Sequence, residues 1–162
     1  MTTLPLTPPP LDVQLYHVLE LHFAAREEYA ADQISSAGIN VDFDVQRSDS
    51  NPHEFRITMT IGLAEGDYAP EDNPPYTISL RIVGYFIFVA GTEETKMQRM
   101  IHLNGSSILY GIARGLIGQA TGASIHGQFV LPAVNFVSLV QSRADQRAPI
   151  DPRTEASVAL DE

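Results

Sequence analysis

The residues able to do chemistry in this chain are few. Five histidines are present, His17, His22, His53, His102 and His126. None stands in the HxxxH or HExxH spacing that puts two imidazoles on one helix face around a zinc ion. His17 and His22 are five apart, so on one strand they face opposite sides. Asp42 and Asp44 share a strand face and imitate a catalytic carboxylate pair. Acid–base work needs burial to push two such pKa values apart, and a solvated face does not supply it. No P-loop, no GxGxxG after a strand and no GxSxG elbow occurs. With no cysteine, disulfides, thiol nucleophiles and thiolate metal sites are excluded. The expectation is a protein with no catalytic residues, metal or cofactor, whose work is binding and assembly.

Charge narrows the partners. The 162 residues carry 20 Asp+Glu against 10 Lys+Arg, a formal net charge of −10. Nucleic acids and anionic membrane surfaces need clustered cations, so both are poor partners. Residues 1–75 hold 13 of the acids and 3 of the cations, and the remainder is balanced. The start of the chain lacks the cationic residues of a secretory signal. The most apolar stretch, Ile108 to Ile125, contains Arg114, Gln119 and four glycines and does not read as a membrane span. A cytoplasmic protein is expected. Residues 1–10, with four prolines, and 148–162 read as flexible tails around one domain, 11–147.

The elements that must position any site come in a simple order. Val13 to Phe23 alternates with period 2, apart from His17 and Val18. Ile39 to Arg47 alternates without fault, with Asn40, Asp42, Asp44 and Gln46 on the polar side. Phe55 to Leu63 alternates again. A fourth strand begins at Tyr76, and from Val83 to Val89 both of its faces are apolar. One side carries Val83, Tyr85, Ile87 and Val89, the other Phe86 and Phe88. A sheet with one solvated face should not end this way, so this end must meet a second surface, another subunit or an apolar ligand.

After Gly91 the spacing turns helical, starting near Thr92-Glu93-Glu94, with a break expected at Asn104-Gly105. Gly111, Gly115, Gly118 and Gly122 fall within an arc of roughly 60° on a helix. Either they form a face for a closely approaching backbone, or they break the helix into loops. Gln128 to Leu131 looks extended. Asn135 is a good N-cap for a last helix, Phe136 to Arg147, with Phe136, Leu139 and Val140 on one face. The fold class is α+β: a four-stranded antiparallel sheet followed by two helices, packed on one sheet face. Glu20, Asp42 and Asp44 should lie on the wet face.

Two segments carry a resemblance to a known family. Ile108-Leu109-Tyr110-Gly111-Ile112-Ala113-Arg114 and Leu131-Pro132-Ala133-Val134-Asn135-Phe136-Val137-Ser138-Leu139 resemble motifs of the SecB family of protein-export chaperones. Gly84 to Gly91 is similar to that family's glycine-aromatic-Ala-Gly segment, and Glu20-Leu21-His22-Phe23 fits the end of its first strand. The resemblance covers residues 11–147. It implies a homotetramer, a dimer of dimers, with helices sandwiched between two eight-stranded sheets. The glycine stripe Gly111, Gly115, Gly118 and Gly122 would then pack between subunits.

The resemblance also implies an ATP-independent holdase that binds unfolded polypeptides in long apolar grooves. Carried over by segment, the groove residues are Tyr29, Ile34, Ile39, Phe86, Phe88, Phe136, Leu139 and Val140; Ile39 and Phe86 read equally well as core. The acidic sheet face, with Glu20, Asp42 and Asp44, would dock a partner such as the translocation ATPase SecA. The chain departs from the family in four places. Pro132 stands one position early, tryptophan is absent, and Ala24 and Leu80 replace expected acids of the SecA surface. The end of the chain does not match the family's SecA-binding tail. Three functions follow in order: a holdase for export clients, a SecB-like chaperone dedicated to the antitoxin of a toxin–antitoxin pair, and a small-molecule-binding α+β domain that lost the groove.

Overall fold

A computed structural model describes residues 9–27, 29, 38–63 and 74–147. Residues 1–8 of the expected tail 1–10, the expected tail 148–162, and Ile34 lie outside the described residues. Four strands, β1 (Leu11–Ala25), β2 (Asn40–Arg47), β3 (Glu54–Leu63) and β4 (Tyr76–Phe88), form one antiparallel sheet in the order β1-β4-β3-β2. Three helical segments follow: α1 (Glu94–Met100), α2 (Ser106–Thr121) and α3 (Phe136–Arg147). The α+β fold class is as expected, with the helices on one sheet face.

The register shows which side chains share each face, because directly paired residues point the same way. One face is the core. Phe55, Ile57, Met59, Ile61 and Leu63 of β3 sit beside Phe86, Gly84, Ile82, Leu80 and Ile78 of β4. All of these side chains are buried, and Ile57, Met59, Ile61, Leu80 and Ile82 are fully so. The other face is solvated. One row across it reads Glu20, Arg81, Thr60, Asp42, and the next reads His17, Val83, Thr58, Asp44. Glu20, Asp42 and Asp44 therefore lie on the outer face, as expected.

β1 differs from its expected pattern in an informative way. Its ladder with β4 shifts register between Val13 and Leu15 and again between Val18 and Glu20. Gln14 and Leu19 are the extra residues of two bulges, and each bulge reverses the facing of the strand residues after it. Leu15 and His17 thus point outward, paired with Tyr85 and Val83, while Tyr16 and Val18 turn to the helix side, paired with Gly84 and Ile82. The two residues that broke the alternation, His17 and Val18, mark the segment between the bulges.

The break expected at Asn104-Gly105 is not a break. Helix continues through a π-helical turn, Ile101–Gly105, that joins α1 to α2. The glycine serves packing: a Cβ on Gly105 would stand 2.9 Å from Ile57 Cδ1 of β3 and equally close to Ile101 Cδ1. The sheet reciprocates at Gly84, where a Cβ would stand 2.9 Å from Leu109 Cδ1 of α2 and from the Phe86 ring. Glycines on both sides let the rod lie close on β3 and β4. Residues 128–131, expected to be extended, have no regular structure. Asn135 caps α3 as expected, its Oδ1 accepting from the N–H groups of Val137 (3.1 Å) and Ser138 (3.2 Å).

Gly84→Val puts a branched side chain where Leu109 and Phe86 already stand. It should destabilise the subunit by about 1–3 kcal/mol, the usual range for overpacking. A urea unfolding midpoint equal to that of the unaltered chain would contradict the close approach.

Candidate functional site

The carried-over residues gather around α3 and separate elsewhere. Phe136, Leu139, Val140 and Arg143 recur at i, i+3, i+4 and i+7, so they form one helix face. Phe136 is buried, its ring 6.0 Å from Phe43 of β2 and 5.7 Å from Tyr110 of α2, both edge-on. Leu139 and Val140 are half-buried against the core. Arg143 completes the face. Its guanidinium lies 4.4 Å over the Phe43 ring, donates to the Phe43 carbonyl and pairs with Asp42. Arg143 was not among the expected site residues; its signal was its place seven residues after Phe136 on the apolar stripe.

The other carried-over residues stand apart from this helix. Phe86 and Phe88 are core, at 1% and 2% exposure, and Phe88 packs edge-on to Phe55 at 5.5 Å. Ile39 is half-buried where the chain enters β2. Tyr29 stands against His126, ring centroids 4.9 Å apart, in a cluster with Tyr76. His126 Nε2 donates to the Arg26 carbonyl at 2.6 Å and so ties the end of β1 to the segment after α2.

Two concavities flank these elements. One, of about 370 Å³, lies between α3 and the rod, lined by Gln98, Arg99, His102, Leu103, Val137, Val140 and Gln141. Val137 is 50% exposed at its rim. The other, of about 480 Å³, lies on the outer face at the end of β4 that the sequence flagged as too apolar. Leu15, Tyr85 and Ile87 supply its apolar part, and Gln46, Glu54 and Arg56 its polar part. The inward side of that strand end meets α2. The outward side, with Tyr85 38% and Val89 53% exposed, meets no helix among the described residues.

The electrostatics of the site are those of a surface. Glu94, at the start of α1, accepts from Gln98 and receives both arms of Arg47 at 2.8 and 2.9 Å. The Gln98 hydrogen bond first, then Arg47, holds its carboxyl below the usual glutamate value. Burial pushes the Tyr110 hydroxyl up, opposed by the charge of Arg114. That hydroxyl donates to the Pro132 carbonyl at 2.7 Å and anchors the segment leading into α3. Among the described residues no cluster of three His, Asp or Glu is placed to hold a metal ion. No helix among them is long and apolar enough to cross a membrane.

The family model for preprotein translocase subunit SecB matches residues 8–147. The chain belongs to the SecB family. No curated protein is similar in sequence. Two solved structures are similar to the chain at low identity. A SecB-like chaperone of Mycobacterium tuberculosis, Rv1957, in complex with a ChAD peptide from the Rv1956 HigA1 antitoxin, is 15% identical. That match has a TM-score of 0.47 and covers 78% of this chain and 91% of that one. A protein of unknown function from Streptococcus agalactiae is also 15% identical, with a TM-score of 0.49, over 76% of this chain and 97% of that one.

Leu80, the residue at an expected acidic position, points into the core and is fully buried. The outward β4 neighbours of Glu20 and Ala24 are Arg81 and Thr77. A cation thus interrupts the acidic row between Glu20 and Asp42.

Tyr110→Phe removes the donor to Pro132 and leaves that carbonyl short of a partner. The expected loss is about 1 kcal/mol of unfolding free energy. The pH dependence should change as well. A raised folded-state pKa means that the phenol's contribution is complete below the ordinary tyrosine value of about 10 and is lost as pH rises past it. The unaltered chain should lose stability there and Tyr110→Phe should lose less; parallel thermal unfolding curves would refute the assignment.

Proposed function

We propose that this SecB-family protein is an ATP-independent holdase that binds unfolded polypeptides, works in the cytoplasm and assembles as a homotetramer, a dimer of dimers. The observation that carries the reading is the apolar surface left open beside α3: Val137 exposed, Leu139 and Val140 half-buried, next to an open cleft. α3 is also the helix most cheaply moved. Among the described residues its hold on β2 is the Phe136 ring against Phe43 and Arg143, which donates to the Phe43 carbonyl, covers that ring and pairs with Asp42, and exposed ion pairs contribute about 0–1 kcal/mol. Each fully buried Ile or Leu under α2 contributes about 1.5–3 kcal/mol.

Assembly has its own support. β1 exposes Leu15, Tyr16, Val18, Leu19 and Phe23 by 39–50% of their surface. Apolar residues so close together on a strand edge fit a second subunit better than water. The glycine stripe serves this role in part. A Cβ on Gly111 or Gly115 would meet nothing within 4 Å, and Ile108 is exposed on the same side of α2. Gly118 is covered by Gln128, and Gly122 closes the helix. Gly111 and Gly115 are thus the two positions left for another helix.

Export clients and SecA are the first reading of the partners. Arg81, standing between Glu20 and Asp42, favours a second: a chaperone dedicated to one aggregation-prone antitoxin, with no SecA docking. A toxin–antitoxin gene pair beside this gene would support the second, and an export-linked locus the first.

The chain should suppress aggregation of a reduced, unfolded model protein at substoichiometric amounts. Unchanged aggregation at equimolar tetramer, with no unfolded chain bound in the micromolar range, would remove the reading. Gly115→Leu should leave the subunit's circular dichroism unchanged and shift the native mass to a smaller species. An unshifted mass would remove the glycine face from the assembly.

A further inference from the structure

β4 ends with apolar residues on both sides, and among the described residues α2 covers only the inner one. On the outer side Val83 is buried in place, while Tyr85 and Ile87, with Leu15, floor the concavity of about 480 Å³. The row that crosses this floor reads Leu15, Tyr85, Arg56, Gln46, from β1 to β2. Arg56 Nη2 donates to Gln46 Oε1 at 2.6 Å. Among the described residues its other N–H groups have no partner, and no carboxylate stands within ion-pair distance of it. Arg47, also on the rim, differs: both oxygens of Glu94 hold it. An apolar floor beside an uncommitted guanidinium is the composition of a small-ligand site, and the volume falls in the range such sites have.

We propose that the concavity binds a small monocarboxylic acid with an apolar body. The carboxylate takes the free side of the Arg56 fork, which matches it in shape and charge. The body runs over Tyr85 to Leu15. Arg56 and Leu15 are two strand spacings apart, about 10 Å, close to the extended length of octanoate. Ile87 walls one side. Glu54 and Asp44 stand one row away on either side of Arg56. They match one negative charge and repel a dianion such as phosphate, which sets the specificity. A polypeptide end fits less well, because its amides would lie on Tyr85 and Ile87, lose water and find no acceptor. Strands added beside β1 extend the sheet in its own plane, so the proposed assembly leaves this face open. α3 lies on the other face, so the site is independent of the holdase reading.

The test titrates the full chain with octanoate by calorimetry and follows backbone amide chemical shifts. Octanoate should bind, with shifts centred on Leu15, Tyr85, Arg56 and Ile87. Acetate lacks the body and octanol lacks the charge, so each should bind at least about tenfold more weakly. Arg56→Gln should weaken octanoate binding by about tenfold or more. It should leave the urea unfolding midpoint unchanged, since Arg56 is exposed. The comparison of octanoate with octanol uses the unaltered chain and decides without the variant. Equal binding of the two, or shifts confined to the cleft beside α3, means adventitious contact with apolar surface and overturns the site. Absent octanoate binding, or unchanged affinity in Arg56→Gln, overturns it as well. A leucine-ended peptide that binds these residues more tightly than octanoate, and loses that binding on amidation, overturns the small ligand in favour of a polypeptide end.

Discussion

The contact on which the subunit depends is the close seating of the helical rod on the two central strands. Gly105 from the rod and Gly84 from the sheet each leave room for a side chain of the other layer, Ile57 and Leu109. Both of these are fully buried. Interiors pack at crystal-like density, so a rod held farther off would leave voids along β3 and β4 that no single side chain could fill. The π-helical turn belongs to the same fit, because its extra residue brings Gly105 onto Ile57 without ending the helix. Everything farther from this seam is held less firmly. β1 is half covered, and α3 is tied by the buried Phe136, the half-buried Leu139 and Val140, and Arg143.

That gradient suits the proposed work. A holdase has to keep apolar surface open without unfolding, so the firm and the open parts must be separable. Here the firm part is the β3–β4 wall under α2. The open parts are the α3 cleft, the outer end of β4 and the β1 edge. The charge distribution guards them. Asp12, Glu20, Asp42, Asp44 and Glu54 all come from the acidic first half of the chain and pair outward in the sheet registers. Net charge far from zero keeps proteins with exposed apolar patches from associating at random.

Sequence made the element order, the four strands and the Asn135 cap legible because each is a local signal: a period, a turn or a capping residue. The two bulges of β1 were hidden, since a bulge is a property of a strand pair and leaves only broken alternation in one chain. His17 and Val18 were that trace. Asn104-Gly105 read as a break because glycine is a poor helix former, whereas its partner, Ile57, is distant in sequence and invisible to propensity. Phe88 was placed in a groove by analogy with a segment and Phe86 read either as groove or as core; the registers put both on the core side, with Leu11 and Phe55. Arg143 escaped because its partners, Phe43 and Asp42, are about a hundred residues earlier.

The two sheet edges show how one fold can both invite and refuse pairing. An uncovered edge strand binds whatever extended chain it meets, so proteins that expose one usually blunt it. β1 is blunted by its bulges, which twist the strand and interrupt its ladder at Gln14 and Leu19. What remains exposed there is a fixed set of apolar side chains, a surface better suited to one particular partner than to many. β2 is regular throughout its ladder with β3. It is blunted instead by a removable group, a guanidinium on a flexible stem, set against a carboxylate that is itself largely in water. An ion pair so exposed holds weakly and exchanges readily. The two described edges thus differ physically: β1 is a bulged strand with a fixed apolar set, and β2 a regular ladder beside an exposed ion pair.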